Sequence, residues 1–163
     1  MARALRGSDM VIEESVVIGA DIEKIWTALT DLTCWKDWNS GLMDATGETG
    51  QLSSGEKFTF CIRPFVYPVR LRLVIEEAAP KERLVWKGWK FGIFSRHEFL
   101  LQQTGEGVRM TSRETLRGLP LVFGSRFFPI WKVRELTVGM LNDLKKAVET
   151  TESEKTISAA KIR

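Results

Sequence analysis

The chain has 163 residues, 44% of them hydrophobic and 28% charged, with a formal net charge of +3. That length suits one domain with a core of its own. The basic excess is too small to imply a nucleic-acid partner. One histidine, His97, and two distant cysteines, Cys34 and Cys61, argue against a zinc site of the usual ligand spacing. No metal and no cofactor are expected. The cysteines read as free thiols of a reducing compartment, with a disulfide as the open alternative. Residues 1–9 are basic but lack the apolar core of a signal peptide. No run is long enough to span a bilayer, so the expected location is cytoplasmic. Oligomeric state is not legible.

In chain order, Met10–Ile18 is rich in β-branched residues and reads as a first strand. Asp21 is placed to cap a helix, with Glu23 in its first turn. Ile22, Ile25, Trp26 and Leu29 then recur at helical spacing. A second short helix holds Trp35 and Trp38, which read as core anchors before they read as ligand-stacking groups. Strands follow over 42–49, 56–63, 69–77, 83–89, 94–103 and 108–117, separated by glycine, proline and charge. Phe58, Phe60 and Ile62 share one face, as do Val69, Leu71, Leu73 and Ile75. The pattern is that of an antiparallel meander with one wet face.

The last long helix, 130–149, carries Ile130, Val133, Thr137, Met140, Leu141, Leu144 and Val148 as one stripe. Too short of apolar contacts to stand alone, it needs a concave partner, and the sheet is the one available. Residues 150–163 lack a sustained stripe and read as a frayed tail. The domain is therefore expected over 10–150, with 1–9 and 151–163 as flexible tails. A bent sheet closed by one helix leaves space between them, and such half-barrels hold apolar ligands.

The hairpin at Gly105 and Glu106 gives a register. If Thr104 pairs with Gly107, then Leu101 faces Met110, Phe99 faces Ser112 and His97 faces Glu114. The apolar neighbours mark that face as covered. His97 and Glu114 should therefore point inward together. They read as an acid/base pair for proton transfer, or as a hydrogen-bonded pair that satisfies itself or orients a ligand's polar group. The wet face carries Arg70, Arg72, Arg96, Arg109, Arg113 and Arg117, interspersed with Glu76 and Glu98. It reads as a solvated face, with a patch for an acidic partner as the alternative.

The turns separate by character. Those at 50–56, 79–83 and 104–107 are polar; the stretches 63–68, 89–94 and 119–128 are apolar and aromatic, with Arg63, Lys90 and Arg126 among them. Apolar loops gathered at one end need covering. That end is read as a cavity mouth with peripheral contact to an anionic membrane, the alternative being that 119–128 folds over the other loops as ordinary core.

Residues 20–31 (ADIEKIWTALTD), followed by Trp38 and Asn39, resemble the opening motif of the START/polyketide cyclase-like superfamily (SRPBCC), which shares the birch-pollen-allergen helix-grip fold. Residues 84–88 (LVWKG), 97–99 (HEF), 113–118 (RETLRG) and 141–145 (LNDLK) are similar to later segments of one bacterial subgroup. The sequence departs from the pattern at Asp21, where proline is usual, and at Pro129, which would kink or start the final helix. The expected fold is α+β helix-grip: a curved seven-stranded antiparallel sheet wrapped around a long C-terminal helix, with two short helices after the first strand. The resemblance implies an internal cavity. Its expected lining is Trp38, Phe58, Phe60, Trp86, His97, Phe99, Met110, Glu114, Met140 and Leu141.

The expected function is binding or carriage of a small hydrophobic molecule such as a lipid, quinone or polyketide-like aromatic. The alternatives are a cyclase- or dehydratase-type enzyme using His97 and Glu114, and a regulatory interaction module, which a filled or small cavity would favour.

Overall fold

The computed structural model describes residues 9–64, 66–118, 121 and 130–161, with 151–161 as backbone. The expected elements are present. Strand β1 (Met10–Ile18) leads into α1 (Ile22–Thr30), a 3-10 turn (Leu32–Cys34) and α2 (Trp35–Trp38). Six more strands follow: β2 (Leu42–Gly47), β3 (Lys57–Ile62), β4 (Val69–Ala79), β5 (Arg83–Lys90), β6 (Ile93–Thr104) and β7 (Gly107–Gly118). Helix α3 (Ile130–Lys161) closes the fold. The Asp21 side chain caps α1 by accepting the Glu23 N–H at 2.7 Å, which is why aspartate serves where proline is usual.

The seven strands form one antiparallel sheet in the order β1-β7-β6-β5-β4-β3-β2. The β6–β7 register is the one read from the turn: Thr104 pairs with Gly107, and His97 with Glu114. Register shifts at Leu42/Asp44 and at Ile75/Glu77 bend the β2 side of the sheet.

Helix α3 lies in the concavity, held by polar ties between Arg134 and Glu149. Asp143 Oδ2 accepts the Ser40 N–H at 2.9 Å and the Ser40 hydroxyl at 2.6 Å. Lys145 Nζ donates to the Val17 carbonyl, and Glu149 Oε1 accepts the Gly19 N–H. Towards the helix start, Arg134 pairs with Glu14 of β1. The backbone is helical to Lys161, so the stretch expected as a frayed tail continues the last helix through that residue. Residues 150–161 contain no glycine or proline, and extending an existing helix by good formers such as Glu152, Glu154 and Lys155 costs little. Pro129 lies outside the described residues. No helix among the described residues is long and apolar enough to cross a membrane.

The core divides in two. The larger cluster joins α1, α2, the C-terminal half of the α3 stripe and the middle of the sheet: Ile25, Leu29, Trp35, Phe58, Trp86, Phe99, Met110, Leu141 and Leu144. A smaller one gathers Ile12, Ile93, Leu116 and Leu121 near the start of α3. On the outer face three of the six arginines have acidic partners among the described residues: Arg96 with Glu76 and Glu98, Arg113 with Glu13, and Arg117 with Asp9. Glu98 is buried beneath Arg83 at 2.6 Å and Arg96 at 3.7 Å, and Glu76 pairs with Arg96 and Lys87. The solvated-face reading fits this better than an open basic patch.

Candidate functional site

Between the two core clusters lies a cavity of about 540 Å³. Trp35, Phe60 and Trp86 bound it on the side of the larger cluster, and Ile93, Leu116 and Val133 on the side of the smaller. Its roof is the first half of the α3 stripe, Val133, Thr137 and Met140, joined by Leu136. One helix face thus meets two environments. Leu141, Leu144 and Val148 pack solidly, while Val133 and Met140 are half-buried against open space.

The cavity opens at the apolar end of the sheet, where Pro64, Trp89, Lys90 and Phe91 form part of its wall. A smaller hollow of about 290 Å³ between β2, β3 and β4 holds none of the inward polar groups.

Five of the ten residues expected on the wall are there: Phe60, Trp86, His97, Glu114 and Met140. The other five are corrected. Trp38, Phe58, Phe99, Met110 and Leu141 are buried in the larger cluster beyond the closed end of the cavity. None of the five lines this cavity, and Phe58 borders the smaller hollow instead. The Trp35 ring lies 5.8 Å from the Trp86 ring and 6.1 Å from Phe58, and this aromatic packing closes that end.

His97 and Glu114 stand opposite each other on β6 and β7 and both face the cavity. They do not bond to each other, which corrects the self-satisfying pair. The His97 ring nitrogen Nε2 lies 2.6 Å from the hydroxyl of fully buried Ser112. Glu114 Oε1 accepts the Ser95 hydroxyl at 2.7 Å. Both serines come from the same inward rows, Ser95 two residues before His97 and Ser112 two before Glu114. Small polar residues at inward positions between apolar ones were the signal that the sequence reading passed over.

Stacking on Phe99 at 4.3 Å and edge contact with Trp86 at 5.1 Å fix the imidazole plane. Burial pushes the His97 pKa below its ordinary 6.5, and the nearby Glu114 charge only partly opposes this. The imidazole is therefore neutral at pH 7. The second Glu114 oxygen takes no hydrogen bond from the described residues. A neutral imidazole and a carboxylate in an otherwise mostly apolar wall can accept hydrogen bonds from a ligand or move a proton on it. No group of three or more His, Cys, Asp or Glu side chains that could hold a metal occurs among the described residues.

Two motif glycines owe their identity to close approach. A Cβ on Gly88 would stand 2.8 Å from the Arg72 carbonyl oxygen and 2.3 Å from a Leu73 methyl. Gly118 has φ 152° and lies against the Gly92 carbonyl, where a Cβ would come within 2.2 Å.

Solved structures with this architecture are numerous. The di-domain ARO/CYC protein StfQ from the steffimycin biosynthetic pathway superposes with a TM-score of 0.71 at 15% identity, over 89% of this chain and 52% of that one. The chain thus spans about half the length of that protein. The allergen Ara h 8.0201 gives 0.70 at 10% identity, covering 87% and 99% of the two chains. Norcoclaurine synthase from Thalictrum flavum gives 0.69 at 13%, covering 91% and 99%. At such identities these likenesses establish the helix-grip fold alone. No curated protein matches the sequence. A family profile does match, over residues 10–149, taking in the whole sheet and the helix that roofs the cavity. The chain belongs to the family described as polyketide cyclase / dehydrase and lipid transport.

Proposed function

We propose that this protein binds a small, mostly apolar molecule in the cavity between its two core clusters and holds the molecule's polar end at Glu114 and His97. The observation that carries the reading is an inward polar group beside Phe60, Leu71, Trp86, Leu116 and Met140 in a mostly apolar wall. At about 540 Å³ the space suits a compact lipid, quinone or polyketide-like aromatic. Glu114 offers a hydrogen-bond acceptor, so the ligand's polar end carries a hydroxyl or another donor, while the His97 nitrogen not bonded to Ser112 accepts or donates according to its tautomer. A cavity of this size also weighs against a purely regulatory interaction module. Native mass spectrometry of freshly purified protein, followed by organic extraction, tests the reading. A stoichiometric apolar adduct released on extraction is expected. Failure of lipids, quinones and polycyclic aromatics to bind the extracted protein would overturn it.

The position of His97 favours one second reading, an enzyme of cyclase or dehydratase type. Burial keeps the imidazole neutral and able to take a proton, and Glu114 lies beside it. Glu114→Gln separates the two readings. Loss of an acid/base group lowers turnover by about 10²–10⁴-fold. Loss of one hydrogen bond to a mostly apolar ligand weakens binding by about tenfold.

A further inference from the structure

The end of the sheet where the cavity opens has an unusual surface. Val66, Tyr67, Trp89 and Phe91 are 77%, 80%, 65% and 72% exposed. Val66 and Tyr67 come from the β3–β4 connection, Trp89 from the end of β5 and Phe91 from the β5–β6 turn, which the antiparallel order brings to the same end. Trp89 and Phe91 also form part of the cavity wall.

Phe91 carries a second oddity. It occupies the first position of a two-residue turn with φ 51°, followed by Gly92 at φ 76°. Both angles are left-handed, where asparagine or glycine is the ordinary choice and an aromatic side chain is strained. The strained residue gains no burial in return. Its ring projects into solvent beneath the Lys90 ammonium, 4.9 Å from the ring centroid.

Charge within these two connections has one sign. Neither 62–69 nor 88–95 contains an acidic residue, while Arg63 and Lys90 lie within them and are exposed. The connections at the opposite end carry Glu56, Glu82 and Glu106. Aromatic tips with cations beside them and no anions match the interfacial layer of an anionic bilayer, where rings settle at headgroup depth and lysine and arginine meet phosphate.

We infer that the β3–β4 and β5–β6 connections dock on an anionic lipid surface, with Phe91 and Trp89 as anchors, and so set the cavity mouth against the layer from which its ligand enters. This rests on the cavity reading above and names the source of its ligand.

Co-flotation with extruded vesicles tests it, using phosphatidylcholine alone and phosphatidylcholine mixed with phosphatidylglycerol, at low and high salt. Binding is expected to the mixed vesicles, reduced by salt. Phe91→Asn is the informative variant, because asparagine suits the left-handed turn. It should raise the melting temperature and yet weaken vesicle binding by about tenfold or more. Lys90→Ala should weaken it by about fivefold. Arg109→Ala, which removes the same charge near the opposite end, should leave it unchanged.

The inference is overturned by absence of binding to the mixed vesicles, by equal effects of the Lys90 and Arg109 variants, or by unaltered binding of Phe91→Asn. Self-association abolished by Phe91→Asn would assign the patch to a second copy and overturn it too. Ligand content, read separately by native mass spectrometry, tells a failure of docking from a failure of the cavity.

Discussion

His97 is the only histidine in the chain, so its titration can be read without interference from another imidazole. Its pKa is lowered in the folded state, chiefly by burial. Above its ordinary 6.5 it is neutral in folded and unfolded chains alike, and its stabilising contribution is intact. As pH falls through 6.5 the unfolded chain takes up a proton that the folded chain refuses. Stability should therefore drop, by at most about 1.4 kcal/mol per pH unit, until the folded pKa is reached. Glu76 acts lower on the scale. Partial burial raises its pKa, but bonds and charge from Arg96 and Lys87 hold it below 4.5, so its contribution fails only in stronger acid. Urea melts at stepwise pH should show the His97 component between these limits, and His97→Gln should flatten it.

At the scale of the elements, two glycines make opposite predictions. Gly88 of β5 is crowded by the Arg72 backbone, which cannot swing aside as a side-chain end would. Gly88→Ala should cost about 1–3 kcal/mol through overpacking. Gly139 sits inside α3 with nothing within 4 Å of where a Cβ would be. Gly139→Ala should raise stability by about 0.5–1 kcal/mol by restricting the unfolded chain and favouring helix. Chemical denaturation of both variants checks the pair.

The elements also show what a sequence can carry. The β6–β7 register followed from one two-residue turn, because a hairpin fixes every pairing beyond it. Alternation then told which side chains face inward. It did not tell how far along the inward face the solid core ends and the open space begins. Trp86 and Phe99 face the same way, yet only Trp86 reaches the cavity, because the aromatic packing around Trp35 fills one end. That boundary depends on the volumes of side chains from five or six elements at once. The extent of the last helix is hidden for a related reason: periodicity reports where an apolar stripe runs, whereas the α3 backbone stays helical beyond that stripe, to Lys161.

For the whole molecule, the paired core clusters imply that loading and stability are linked. Residues on the cavity wall lack packing partners on one side, and the proposed ligand would supply them. A ligand that binds only the folded state at a hundred times its Kd should stabilise it by about 2.7 kcal/mol. The melting temperature of extracted protein should rise on adding the recovered ligand, and rise less in Glu114→Gln. The same space also makes the empty protein vulnerable to compression. Unfolding eliminates internal void, so hydrostatic pressure favours the unfolded chain in proportion to the space lost. Fluorescence of the six tryptophans under pressure should show the ligand-free protein unfolding at lower pressure, with a larger volume change, than the loaded one. What temperature reports as a modest gain, pressure would report as the difference between a hollow body and a filled one.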